Sequence, residues 1–424
     1  MTRLACLLAP LLLLSACEAD SGTGGAGGSS TDTTGASPST TGTTSPTTSS
    51  TGSTASTSGA GGGGGECLHE AGNPDFDRFV IVGHPYDDAV DPDGSYEVLR
   101  LSTAGALTTT GTRFHMGPPA DKQIQFSPDG EIGFAIQDDG TVGVFRLAPD
   151  GSVTVLNEGL AGDYYAEAVR WDDSVFGVYV MDPNFPENGG GVYTIGLGCD
   201  DSLSPGPRLF ESKSARDLFF DPVSGDALLA ARGALGSTAV SHLFRLTLAP
   251  PTVTASADAF GDDDAINSWS ALTRNGRHVI LADNSAFSSS PNRVASVEVT
   301  AAGLGAVQTI TGIEDPYSIA VSPFDDAIVV TSGFGDGIFI VDYDPAAAQP
   351  LSLRGELDYV GPSPQLPGAL ATVDRGTLDG RVLIADVRGV YMVQFAAGAT
   401  VTDLGVVDLG GGTEDVVAGI GVQP

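Results

Sequence analysis

Lysine is nearly absent from this 424-residue sequence, since Lys122 and Lys213 are the only two. Asp and Glu total 53 against 19 for Lys and Arg, so the formal net charge is −34. Because binding to a phosphate backbone requires clustered Lys and Arg side chains, we expect no nucleic-acid partner. A cation, a protein or a neutral glycan fits the acidic surface better. Solubility and salt tolerance are the simpler explanation of the acidity, and the one that we favour.

The usual catalytic motifs are missing as well. No His-x-x-x-His pair and no nearby cysteine partner accompanies the five histidines, so zinc chemistry has no motif support. No Gly-x-Ser-x-Gly elbow surrounds a serine, so a serine hydrolase has no motif support either. The glycine run at 61–65 has neither a strand pattern before it nor a helix pattern after it, which excludes a phosphate-binding loop.

No apolar run reaches the roughly 20 residues that a transmembrane helix requires. Arg3 and the shorter apolar run Leu4–Leu14 instead predict a signal peptide over residues 1–16. The run ends in Leu14-Ser-Ala-Cys17, which resembles a bacterial lipobox. The resemblance implies that Cys17 is lipidated and becomes the first residue of the mature protein. The alternative is a soluble secreted protein with a leftover cysteine.

Residues 17–66 are predicted to be the lipidated cysteine followed by a disordered tether. Large apolar side chains are almost absent after Cys17, and Gly, Ser and Thr dominate. A flexible chain of roughly 50 such residues spans roughly 35–40 Å. Lipidation of Cys17 would make the protein extracytoplasmic and anchor it to a membrane. Glu18 in place of Asp after the cysteine favours the outer membrane, on its periplasmic side or at the cell surface, over the inner membrane.

From residue 67 to 424 the pattern changes to short β-rich runs separated by Gly, Asp, Asn and Pro. Seven segments share an apolar strand, in most cases followed by a polar turn and a second apolar strand. Their starts lie 43, 49, 53, 49, 51 and 48 residues apart. The segments are Gln123–Gly130, Ala166–Asp173, Ala215–Pro222, Ser268–Gly276, Tyr317–Pro323, Gly368–Asp374 and Val416–Val422.

A period near 50 residues with about four strands is typical of a β-propeller blade. The sequence therefore predicts an all-β, seven-bladed β-propeller over residues 67–424, and we expect a monomer. Val416–Val422 is an inner strand with no strands after it, whereas Arg78–Gly83 and Tyr96–Ser102 are second and third strands with no inner strand before them. Pairing the C-terminal strand into the N-terminal blade would close the ring and remove both exposed edges.

Two repeats carry a resemblance to a known group. Phe126–Leu147 and Ile319–Asp342 resemble the YVTN type of propeller repeat, which is related in shape to WD40 repeats. Such repeats occur in bacterial surface proteins and in some lactonases. The resemblance implies either a binding or scaffold module, or a lactonase-like hydrolase with a metal in the central channel. The first needs no catalytic motif.

Cys67 and Cys199 are the two cysteines that neither the signal peptide nor the lipid uses. In an oxidising compartment they are predicted to pair, because the blade scheme places both on the same face of the disc. Two unpaired thiols are the alternative.

The loops that lead into the inner strands carry many carboxylates. Because these loops meet at one mouth of the channel, their oxygens suit Ca²⁺, which takes six to eight ligands. The alternative is that Asp favours turns and strand entries. The residues predicted to bind a metal or polar ligand are Asp121, Asp163, Asp217, Asp264, Asn267, Asp315 and Asp415.

Replacing Cys17 with Ala is expected to release the protein from membranes without unfolding it, because the tether separates the anchor from the propeller. Detergent phase partitioning measures the release. Cys6→Ala, within the signal peptide, is the matched control and stays with the detergent phase. A Cys17→Ala protein that remains membrane-bound contradicts the lipid anchor.

Overall fold

The computed structural model describes residues 69–86, 94–183, 190–234, 241–261, 267–284, 291–410 and 416–424. The chain divides into two units, Met1–Glu66 and Cys67–Pro424, and every described residue belongs to the second. The predicted signal peptide, Cys17 and the tether lie outside the described residues. Within the described ranges, no helix combines the length and apolar character that crossing a membrane requires.

The strands follow one another along the chain in groups that correspond to blades. The first group is β1 (Arg78–His84), β2 (Ser95–Leu101) and β3 (Leu107–Phe114). The second is β4 (Gln125–Phe126), β5 (Ile132–Ile136), β6 (Val142–Leu147) and β7 (Val153–Leu160). The third is β8 (Ala168–Asp172), a 3₁₀ helix (Asp173–Val175), β9 (Gly177–Asp182), β10 (Gly191–Leu197), β11 (Leu203–Pro205) and β12 (Phe210–Lys213).

The remaining groups have the same plan. The fourth is β13 (Asp217–Phe220), β14 (Ala227–Ala230), β15 (Gly233–Ala234), β16 (Leu243–Leu248) and β17 (Pro251–Ala257). The fifth is β18 (Asn267–Leu272), β19 (His278–Asp283), β20 (Arg293–Thr300) and β21 (Gly303–Ile310). The sixth is β22 (Pro316–Val321), β23 (Ala327–Ser332), β24 (Gly337–Tyr343) and β25 (Leu351–Glu356). The seventh is β26 (Leu370–Thr372), β27 (Arg381–Asp386), β28 (Gly389–Ala396) and β29 (Thr400–Asp408), and β30 (Ile420–Val422) ends the chain.

These strands form seven antiparallel sheets, so the predicted seven-bladed propeller is confirmed. Each of the seven repeat segments contains or overlaps the innermost strand of one sheet. Six sheets have four strands. The third blade departs from this plan, because β15 from the fourth group pairs with β12 at its outer edge and β11 pairs with β10.

Seven buried apolar clusters fill the gaps between neighbouring blades. Val80 of β1 packs with Leu383 of blade seven, and the next residue, Ile81, packs with Phe145 of blade two. Successive side chains of a strand point to opposite faces. A middle strand therefore has to be apolar at consecutive positions, which explains the solid apolar runs in the sequence.

The predicted ring closure is also confirmed. β30 pairs with β1 in the register Val80–Val422, Ile81–Gly421 and Val82–Ile420. It also touches blade two, because the N–H of Ile124 donates to the carbonyl of Ile420 at 2.8 Å. A Cβ atom at Gly421 would lie 2.4 Å from the carbonyl oxygen of Ile124, so only glycine allows this approach.

Deleting residues 414–424 is expected to destabilise the whole domain, because it removes the inner strand of blade one and the buried Ile420. Deleting residues 18–66 is expected to leave the melting temperature unchanged. Gly421→Ala tests the same contact more gently and should lower the melting temperature by several degrees, with Gly361→Ala, which has open space around it, as the control. Equal melting temperatures for the two deletions would show that β30 does not hold the ring.

Candidate functional site

The candidate site occupies the central channel. The loops that lead into the inner strands meet at one end of the channel, which we call the entry end. The inner strands finish at the other, the exit end. Lys122 lies three residues before β4, Glu167 directly precedes β8, and Arg216 directly precedes β13. The repeat thus brings three charged residues from consecutive blades to the entry end.

These three side chains form one ion-pair cluster. Lys122 Nζ lies 2.8 Å from Glu167 Oε1, and Arg216 Nη1 lies 2.9 Å from the same oxygen. Glu167 is only 6% exposed. Burial raises the pKa of Glu167, but the charges of Lys122 and Arg216 outweigh this effect and lower its pKa to about 2. Glu167 is therefore ionised at neutral pH, and the cluster carries a net positive charge.

Tyr317 forms the wall beside this cluster. Its hydroxyl donates to the backbone carbonyl of Asp121 at 3.1 Å, and Lys122 Nζ lies 6.0 Å from the centre of its ring. Burial and the nearby carboxylate of Asp121 raise the pKa of Tyr317 well above its usual range. The hydroxyl therefore stays protonated and acts as a hydrogen-bond donor.

A second charged layer crosses the channel nearer the exit end. Arg170 donates from Nε and Nη2 to the two carboxylate oxygens of Asp217, each at 2.7 Å, and from Nη1 to Gln123 Oε1 at 2.8 Å. Ser270 Oγ donates to Asp217 Oδ2 at 3.3 Å. The Arg170 guanidinium also lies over the Phe219 ring, 5.3 Å from its centre. A bidentate pair with this many supports is rigid.

The two layers divide the channel into unequal spaces. Between them lies a cavity of about 20 Å³, which has room for about one water molecule. On the exit side of Arg170 lies a cavity of about 450 Å³. Its polar lining is Gln123, Arg170, Ser270 and Thr372, and its walls are otherwise apolar, including Trp171, Phe219, Phe220, Trp269, Ile319 and Leu370.

Both tryptophans of the chain line this larger cavity. Trp171 Nε1 donates to Asp173 Oδ1 at 2.7 Å, and the His69 ring packs edge-on against Trp171 at 5.3 Å between centres. Trp269 packs against Tyr317 at 6.2 Å. Each indole therefore has its own partners, which are Asp173 and His69 for Trp171 and Tyr317 for Trp269.

Two of the predicted acidic residues have partners within the protein. Asp217 is the partner of Arg170, and Asp121 Oδ1 accepts the N–H of Ala369 at 2.8 Å. Asp163 is exposed, and Asp315 is half-buried with its pKa raised by burial. In the described part of the chain no three His, Cys, Asp or Glu side chains are grouped to hold a metal ion.

Other predicted residues fall where the structure gives no side chain. Asp264 and Asp415 lie outside the described residues, as does the side chain of Asn267. The calcium site therefore stays a prediction. Cys199 follows β10, the third strand of its blade, and is disulfide-bonded. Its predicted partner Cys67 also lies outside the described residues.

Lys122, Glu167 and Arg170 were not among the predicted site residues, because the contacts between charges of different blades depend on how the closed ring packs. A signal was present. Lys122 is one of only two lysines, and Glu167 and Arg170 lie inside a repeat segment. Opposite charges at corresponding positions of neighbouring repeats predict ion pairs around the ring.

No protein-family model matches the chain, and no curated protein matches it. Solved structures do resemble it. A protein of Bacteroides uniformis, provisionally named a 6-phosphogluconolactonase, has a TM-score of 0.62 at 14% identity over 82% of this chain and 99% of its own. The periplasmic gluconolactonase of Pseudomonas aeruginosa has a TM-score of 0.58 at 15% identity over 82% and 99%. At this identity the likeness establishes the propeller fold alone.

Glu167→Gln is expected to lower the free energy of unfolding by about 3 kcal/mol at pH 7, because Lys122 and Arg216 lose their buried counter-charge. The pKa of Glu167 rises from about 2 in the folded protein to its usual 4.5 on unfolding. Its contribution is therefore complete above pH 4.5 and is lost as the pH falls from 4.5 to about 2.

Urea unfolding at pH 7 and pH 3 measures this contribution. The difference between wild type and Glu167→Gln should fall by more than half at pH 3. Glu131→Gln is the control, since Glu131 pairs with Arg146 but its side chain is 53% exposed, and it should change stability by less than about 1 kcal/mol. A difference that is independent of pH would mean that Glu167 is not ionised in the folded protein.

Proposed function

We propose that this protein is a membrane-anchored, extracytoplasmic β-propeller lipoprotein that binds an apolar small molecule or side chain in its central channel. The observation that carries the proposal is the cavity of about 450 Å³ at the exit end. Ligand pockets have volumes of roughly 300–1,000 Å³, apolar and aromatic walls, and a few fixed polar groups. This cavity has all three features.

The charged layer makes the cavity a pocket with a floor. Arg170 is bound to Asp217 and Gln123 across the channel, so a ligand entering from the exit end meets a rigid polar surface. The guanidinium already has a carboxylate partner, and an anionic ligand gains little there. The apolar walls favour a neutral ligand, because transfer of apolar surface from water contributes about 25 cal/mol per Å².

The anchor and the location belong to the same proposal and are supported by the sequence alone. The lipobox-like Leu14–Cys17 and the Gly/Ser/Thr-rich segment after it would hold the propeller at a membrane with freedom to reach its ligand. The cavity then presents its ligand site outside the cytoplasm, on the periplasmic side of the outer membrane or at the cell surface.

A lactonase-like hydrolase is the second candidate. It is favoured by the ionised, buried Glu167 between two cations, and by the solved structures named as gluconolactonases. In that case Lys122 and Arg216 would stabilise a developing oxyanion, and Glu167, which the two cations make a weak base, would hold them in position. The space beside Glu167 is about 20 Å³, too small for a lactone ring, which is why we place binding first. Hydrolysis of gluconolactone that Glu167→Gln abolishes would reverse this order.

Filling the exit cavity should abolish binding. Ala271 lines the cavity, and Ala271→Phe would project a ring into it. We expect a neutral apolar dye such as Nile red to bind the wild type and change the emission of Trp171 and Trp269, and its affinity to fall at least about tenfold in Ala271→Phe.

Ala346→Phe, at an exposed position on a turn, is the matched control and should bind like the wild type. Thermal unfolding checks that both variants fold. Equal dye affinity in the two variants, or no change in tryptophan emission, would show that the exit cavity is not the binding site.

A further inference from the structure

A buried guanidinium lies where the ring closes. Arg78 is the first residue of β1 and is 0% exposed. Its Nη2 donates to the carbonyl oxygens of Pro74 at 2.7 Å and of Arg375 at 3.0 Å. Its Nε and Nη1 have no hydrogen-bond acceptor. Three N–H bonds of one buried cation are therefore unused.

Within the described residues Arg78 forms no ion pair with a carboxylate, and in this it resembles the buried Arg381 but differs from two other arginines. Buried Arg245 pairs with Asp221 at 2.9 Å, and Arg293 pairs with Asp283 at 2.6 Å. A buried charge without a directly bonded counter-charge destabilises the folded state. Burial and the neighbouring Arg375 lower the pKa of Arg78, although the nearby carboxylates of Asp374 and Asp75 act in the opposite direction.

Arg375, the neighbour of Arg78, also has an unused N–H donor. It lies in the turn between β26 and β27, its Nη2 donates to the carbonyl oxygen of Pro128 at 3.1 Å, and its Nε has no acceptor. The nearest carboxylates do not bond to either guanidinium. Asp75 Oδ1 instead accepts the N–H of Thr377 at 2.9 Å, and Asp374 is exposed.

The pair lies close to the surface through Arg375, although the unused Nε of Arg375 is itself buried. Arg375 is half-buried, three residues beyond Thr372, which lines the exit cavity. Its contact with Pro128 joins blade seven to blade two, and Arg78 belongs to blade one. The unused donors thus lie at the seam where three blades meet.

We infer that Arg78 and Arg375 together bind a small oxyanion, of the phosphate, sulfate or carboxylate class, at this seam. An oxyanion has several acceptor oxygens, so it can accept from N–H groups of both guanidiniums and supply a negative charge bonded directly to them. It would link blade one to the β26–β27 turn and stabilise the closed ring. This site is separate from the exit cavity, where the Arg170–Asp217 pair favours a neutral ligand.

Thermal unfolding of the full chain at low ionic strength tests the site. Sodium phosphate, sulfate and acetate are titrated against sodium chloride at equal ionic strength. We expect a saturable rise of about 3 °C or more in the melting temperature with at least one oxyanion beyond the chloride effect. The order of the three anions separates phosphate and sulfate from carboxylate as the preferred class.

Arg375→Gln should remove the saturable rise. Arg354→Gln is the control and should keep the rise, because Arg354 lies on blade six and pairs with Asp342 there. Arg375 is half-buried, so its substitution leaves the fold intact. Arg78→Met provides a second variant, because it removes the buried charge and should abolish the response as well. A rise that is the same in Arg375→Gln and the wild type, or no oxyanion effect beyond chloride in the wild type, would overturn the inference.

Discussion

The backbone pairing of β30 with β1 is the interaction on which the rest of the molecule depends. An inner strand from one end of the chain completes a blade from the other end, so blade one has four strands. The N–H of Ile420 also donates to the carbonyl of Lys122 at 3.2 Å. The closing strand thus helps to position Lys122, whose side chain holds Glu167. Ring closure and the charged cluster at the entry end are therefore connected through one residue.

The central channel of this acidic protein contains positively charged side chains. With a net charge of −34, the surface repels further negative charge, yet the channel contains Lys122, Arg170 and Arg216 paired with two carboxylates. In a low-dielectric interior such pairs need hydrogen-bond partners, and here Glu167, Asp217 and Gln123 provide them. The charged side chains therefore divide the channel into a nearly filled polar half and an open apolar half. Only the apolar half has room for a ligand.

The exit end combines three features. The apolar cavity lies there, Arg375 lies beyond its rim, and His69 packs against Trp171 while its Nδ1 lies 2.6 Å from Asp129 Oδ2. His69 therefore contacts a residue of the cavity wall.

The seven inner strands and their pairing could be predicted from the sequence, since strand periodicity, Asp-Gly and Asn-Gly turns and a repeat near 50 residues are local properties that every blade repeats. The fate of the carboxylates could not. Asp217 precedes an apolar run like several other aspartates, and only the ring places Arg170, 47 residues earlier, within 2.7 Å of it. The unused donors of Arg78 were hidden for the same reason, because its neighbour Arg375 is 297 residues away. The sequence by itself determined the blades, whereas the tertiary structure decided which charges meet, because distances between blades depend on how the closed ring packs.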